Sequence, residues 1–138
     1  PEQLPLAEQF AIYARAPKLI FSEGSALHVY ALVADARQEV LILKRRTADA
    51  GHLRLQLVAL GLARVAQVDA IAETARRRPG LGRPNSNATH LDFDRLGAAL
   101  AEHGFVPQAS WRPPAPEAVA EDLARREAAG GAPQRSAR

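Results

Sequence analysis

Lys18-Leu19-Ile20-Phe21-Ser22-Glu23-Gly24-Ser25-Ala26-Leu27-His28-Val29-Tyr30 is the stretch that decides the fold. Lys18 to Phe21 is apolar without alternation, as strands covered on both faces are, and is expected to form a short buried strand. Ser22-Glu23-Gly24-Ser25 reads as a turn in which Gly24 takes backbone angles that other residues avoid. Ser25 is a natural N-cap for a helix from Ala26 to about Ala34, with Leu27, Tyr30 and Ala31 facing inward.

Upstream, Leu6 to Ala16 reads as a helix with Leu6, Phe10 and Tyr13 on one face; Pro5 sits at its start and Pro17 ends it. Downstream, Ala36-Arg37-Gln38 looks like a surface connection, and Glu39-Val40-Leu41-Ile42-Leu43 is the clearest strand in the chain. A polar loop from Arg45 to Gly51 leads to a third helix, His52 to Leu60, ending at Gly61. Leu62 to Val68 alternates weakly as a third strand, and Asp69 to Arg78 is compatible with helix. Pro79 to Asn87 is a loop. Asp92 caps a helix from Phe93 to His103 with a stripe of Phe93, Leu96 and Leu100, closed by Gly104. Phe105-Val106 is expected to pack back on the core. Beyond Trp111, an extended linker through Pro116 precedes a charged helix from Glu117 to Ala129, and Gly130 to Arg138 is expected to be disordered. Strands alternating with helices predict an α/β fold, a Rossmann-like three-layer sandwich with a mostly parallel sheet over residues 1–110 and right-handed crossovers. Residues 111–138 form an appendage of linker, short helix and tail.

At 138 residues the chain fits one domain that buries a core without staples, and the absence of cysteine excludes disulfides and thiolate metal sites. No apolar run reaches the ~20 residues a membrane helix needs. No signal peptide is visible, and a cytoplasmic location is expected. The chain opens on Pro1 and contains no methionine, which fits either an internal stretch of a longer protein or a sequence written without its methionines. The net charge of +3 sits mostly in Lys44-Arg45-Arg46, Arg76-Arg77-Arg78 and the tail, which reads first as solvated surface.

In open parallel sheets, ligands bind outside the carboxyl ends of the strands. The turn after Phe21 lies at such an end, with Gly24, two serines and a helix N-terminus whose free N–H groups suit a phosphate. Ser22 and Ser25 would add hydroxyl hydrogen bonds. Glu23 is the odd member, because a carboxylate beside a diphosphate is unfavourable unless it turns to a sugar hydroxyl. His28 lies one turn on, as a ligand contact or simply a half-exposed helix histidine. Lys44, Arg45 and Arg46 follow the best strand and would clamp a diphosphate; a solvated loop is the other reading. His52, His90 and His103 show no metal spacing. Asn87-Ala88-Thr89 matches a glycosylation sequon by chance, Asp94 forms no catalytic pair with the capping Asp92, and no nucleophile triad stands out.

The stretch from Leu6 to His28 resembles the carboxyl-terminal part of the capsular-polysaccharide-type glycosyltransferases, a family that includes eukaryotic xylosyl- and N-acetylglucosaminyltransferases. The likeness lies in Glu8-Gln9 on a helix, the strand Leu19-Ile20-Phe21, and Glu23-Gly24-Ser25-Ala26-Leu27 in place of a His-Gly-Ala-x-Leu turn. Val40 to Lys44 looks like the next strand of that family, and Leu91 to Leu96 like the segment before its last helix. Glu23 stands where the family has histidine, and Ser25 where it has alanine. The resemblance implies two Rossmann-like lobes, of which this chain would be the one holding a nucleotide sugar. It also implies no bound metal in the nucleotide site, and no cofactor is expected. Partners under this reading are the nucleotide sugar and a second lobe or second copy. The alternative is a non-catalytic basic module binding nucleic acid or protein, although four Phe, two Tyr and one Trp are few for stacking on single strands.

Overall fold

The computed structural model describes residues 3–45, 51–72 and 90–130. Its elements in chain order are α1 (Leu6–Arg15), β1 (Lys18–Ser22), α2 (Ala26–Ala31), β2 (Glu39–Leu43), α3 (Gly51–Ala59), β3 (Arg64–Val68), α4 (Phe93–Glu102), a 3-10 turn (Gln108–Ser110) and α5 (Pro116–Gly130). The three strands form an open parallel sheet in the order β1-β2-β3. Lys18 lies opposite Glu39, and Glu39 opposite Arg64. Parallel neighbours need a crossover rather than a hairpin, and α2 and α3 supply the two.

Side chains alternate across a strand, so β2 feeds two cores. On one face, Val40 and Ile42 join Leu19, Phe21 and Val65 beneath Tyr13 of α1, Leu27 and Tyr30 of α2, and Leu53 and Leu57 of α3. On the other, Leu41 and Val68 pack with Leu96 and Leu100 of α4, and Phe105, Val106 and Trp111 close over them. Each fully buried side chain of this size stabilises by roughly 1.5–3 kcal/mol, so the paired cores, and not helix propensity, hold these short elements. Tyr13, Phe21 and Tyr30 meet as a ring cluster, with centroids 5.1 to 6.0 Å apart.

Several expectations from sequence change here. β1 is covered on one face only: its residues alternate between exposed and buried, and Ile20 is 50% exposed. β1 lies at the sheet edge, outside the cluster under α4. Tyr13 is the one buried residue of α1, and Leu6 is 52% exposed. α2 stops at Ala31, and Ala31 packs only partly buried against the core. Gln38, read as surface, is 4% exposed. It accepts hydrogen bonds from Tyr30 Oη and Asp35 N, and donates to the carbonyls of Tyr13 and Ala16. Of the helix-compatible stretch Asp69 to Arg78, residues 69–72 are described and are not helical, and Ile71 pairs with Leu91 in an antiparallel bridge; residues 73–78 lie outside the described residues.

From Asp92 to Gly104 the structure follows the sequence reading. Asp92 caps α4 by accepting from Arg95 N at 3.0 Å. Gly61 and Gly104 close α3 and α4 with φ of 93° and 68°, values that favour glycine. Trp111 belongs to this core: its Nε1 donates to the Phe93 carbonyl at 3.1 Å, and the indole lies on Gly97. Arg76-Arg77-Arg78, the loop through Asn87, the sequon and residues 131–138 lie outside the described residues. No helix among the described residues is long and apolar enough to cross a membrane.

Candidate functional site

Because the strands are parallel, β1, β2 and β3 all end on one edge of the sheet, where Ser22, Leu43 and Val68 stand side by side in register. Three loops start there, and they carry most of the polar residues singled out from the sequence.

In the first loop, the alternation of β1 continues one residue beyond the strand. Ser22 points to solvent, and Glu23 turns inward on the side of Leu19 and Phe21, at 1% exposure. Its backbone N–H donates to the Leu43 carbonyl at 2.8 Å, and its Oε2 accepts from the backbone N–H of Arg45 at 3.1 Å. Glu23 thus ties the first loop to the second. A buried carboxylate is costly unless hydrogen-bonded, and this bond meets part of that need. Read from the sequence as the odd member of a ligand-binding turn, Glu23 is in the structure a buried link between two loops.

Gly24 lacks a positive φ, and an added Cβ would meet only the Ser22 carbonyl oxygen, at 3.8 Å. The turn does not require glycine. Ser25 precedes α2, but its backbone is already helical (φ −64°, ψ −24°) and its side chain makes no cap bond. A capping hydroxyl needs an extended backbone beneath it to reach the N–H groups ahead. With six residues, α2 is also too short to build much dipole. Two of its first N–H groups are used locally, Leu27 N to the Gly24 carbonyl and His28 N to the Ser25 carbonyl. The N–H groups of Gly24 and Ser25 find no acceptor among the described residues. These amides, with the exposed Ser22 and Ser25 hydroxyls, are what the turn offers an anion.

The second loop begins at Lys44, whose backbone N–H continues the sheet by donating to the Val68 carbonyl at 2.9 Å. Lys44 Nζ lies 3.4 Å from Asp69 Oδ2. Arg45 follows, held by Glu23; Arg46 lies outside the described residues. In the third loop, Asp69 Oδ1 accepts from Ile71 N at 3.2 Å. Arg95 of α4 donates to the carbonyls of Asp69 and Ile71, at 2.9 and 3.4 Å. Glu23, Lys44, Asp69 and Arg95 therefore lie in a row of alternating charge along the edge. Two carboxylates (Glu23, Asp69) against three cations (Lys44, Arg45, Arg95) leave a net charge of +1.

Asp69 and Arg95 were not picked out from the sequence. Asp69 is the first residue past β3, so the rule that selected the other two loops points to it as well. Nothing local marks Arg95, whose place depends on α4 packing beside β3. His28 is exposed, and its Nδ1 is 2.9 Å from Gln56 Oε1, which joins α2 to α3. His52 and His103 are exposed, and no group of His, Asp or Glu among the described residues has metal-binding geometry.

No family model, curated protein or solved structure matches the chain. The site's chemistry is therefore read from its own residues: an edge with two unengaged amides, two exposed hydroxyls and a net charge of +1 suits a phosphate-bearing ligand more than an apolar one.

Proposed function

We propose that this chain is a Rossmann-like, nucleotide-sugar-binding lobe of a glycosyltransferase, with the donor diphosphate at the carboxyl end of its sheet. The observation that carries this reading is the convergence on one sheet edge of the Ser22–Ser25 turn and the cations Lys44 and Arg45. The likeness of Leu6 to His28 to that family supplies the sugar.

In this reading the Gly24 and Ser25 amides and the Ser22 and Ser25 hydroxyls hold phosphate oxygens. Lys44 and Arg45 face the same group. Sugar transfer breaks the bond between the anomeric carbon and the diphosphate oxygen, and negative charge grows on the departing diphosphate. Fixed donors and cations at that point lower the barrier, because they are stronger there than in the ground state. No acid or base for the acceptor is assigned, and His28 enters only as a flanking contact.

The test is a thermal titration of the chain with nucleoside diphosphates and nucleotide sugars. A ligand at 100 times its Kd adds about 2.7 kcal/mol of stability, a plain shift in Tm. The expected result is a shift selective for one nucleoside that disappears in a Lys44→Ala/Arg45→Ala double variant. No shift with any of them overturns the reading. Steeply salt-dependent binding of DNA or RNA in its place would favour the basic-module alternative.

A further inference from the structure

The loop that holds the unengaged Gly24 and Ser25 amides also contains a buried carboxylate. Glu23 immediately precedes Gly24 and is 1% exposed. It is held at both ends, its N–H on the Leu43 carbonyl at 2.8 Å and its Oε2 on the Arg45 amide at 3.1 Å. It cannot swing away from an arriving anion without breaking the link between the first two loops. Along the same edge, Asp69 stands 3.4 Å from Lys44, and its other oxygen is held by the Ile71 amide. The two cations that follow β2 are thus each accompanied by a fixed carboxylate, and the third, Arg95, is directed to backbone carbonyls.

From this arrangement we infer that Glu23 and Asp69 are specificity-determining residues that cap the negative charge the site accepts, so that it favours a doubly charged diphosphate diester over a triphosphate. The inference rests on the nucleotide reading above and adds a charge limit to it. Two fixed negative charges repel each further phosphate, and a partly buried environment screens that repulsion less than bulk water does. Glu23 also acts as a positioning residue, since the Arg45 backbone is set by its carboxylate.

The experiment compares the mono-, di- and triphosphates and the diphosphate sugars of uridine, guanosine, cytidine and adenosine on the wild-type chain and on Glu23→Gln and Asp69→Asn. Glutamine keeps an oxygen for the Arg45 amide and removes only the charge. The expected result is tighter binding of the diphosphate sugar than of the triphosphate by the wild type, with each variant gaining about fivefold or more for the triphosphate and less for the diphosphate sugar. If Glu23→Gln fails to fold, Asp69→Asn, which is less buried, carries the measurement. Binding with the same triphosphate-to-diphosphate ratio in all folded chains overturns the charge limit and leaves the nucleotide reading standing. No binding by any of these ligands overturns both.

Discussion

At Gly97 the missing side chain is what lets the Trp111 indole lie on α4. An added Cβ would run into the ring, with Cγ at 2.8 Å. The ring is rigid and anchored through Nε1 to the Phe93 carbonyl, so it cannot yield as a flexible tip would. Gly97→Ala gains about 1 kcal/mol of helix propensity, yet overpacking costs about 1–3 kcal/mol and the displaced indole loses its burial. We expect a net loss of stability in denaturant and, because Trp111 is the sole tryptophan, a red shift of emission in the folded state. An unshifted spectrum would mean the indole never lay on Gly97. Gly24→Ala is the contrast, expected within about 0.5 kcal/mol of wild type, since neither φ nor space demands glycine there. The two glycines show what single residues disclose. Gly24 sits in a turn that sequence alone marks, whereas the need at Gly97 arises from a tryptophan fourteen positions away. Asp92 and Ser25 divide in the same way. Both precede helices, but only Asp92 has the extended backbone (φ −82°, ψ 104°) that lets a side chain reach back as a cap.

Among elements, β2 was fully legible because four consecutive apolar residues, Val40 to Leu43, lie between Glu39 and Lys44, and its observed bounds are those read from the sequence. β1 was legible as a strand and misread as buried on both faces, because an apolar run does not reveal how many neighbours a strand has. The connection from α2 to β2 was misread too. Gln38 looks like loop surface beside Arg37, yet it joins α1, α2 and β2 through its four hydrogen bonds. Its partner Tyr30 has its phenol pushed up to about 12, first by burial and second by the nearby Asp35 charge. The unfolded phenol titrates near 10. Below pH 10 both states keep the proton and this contribution to stability is complete. Between about 10 and 12 the unfolded chain sheds its proton first, so the contribution is lost as pH rises through the folded value. Denaturation series from pH 9 to 12 should therefore show a decline that is shallower in Tyr30→Phe. That variant starts lower by about 1 kcal/mol for the lost hydrogen bond, so the slope and not the level is the readout. Equal slopes would remove Tyr30 as the cause.

Over the whole molecule, stability is concentrated where the two cores share a strand. Val40, Leu41 and Ile42 are buried in succession, and β2 is bonded to a neighbour on each side. β1 has one such neighbour and an exposed Ile20, and none of the described α5 side chains is buried. The candidate site spans this gradient. Lys44 and Arg45 extend from the most stable strand, while Ser22 to Ser25 extend from the edge. The order of strands and helices made that shared edge legible. It could not reveal the inward turn of Glu23 or the link from Arg95, both of which depend on how neighbouring elements pack. Local opening follows burial and backbone bonding, which gives an order of amide exchange. The amides of Val40 to Leu43 should exchange only through global unfolding, those of β1 faster, and those of α5 fastest, near the rate of an unprotected chain. If the nucleotide reading holds, saturating ligand should slow Gly24 and Ser25 selectively, because their N–H groups are the ones it engages. Exchange of α5 as slow as that of β2 would contradict the gradient. Ligand protection confined to β3 and α4 would move the site off the first loop.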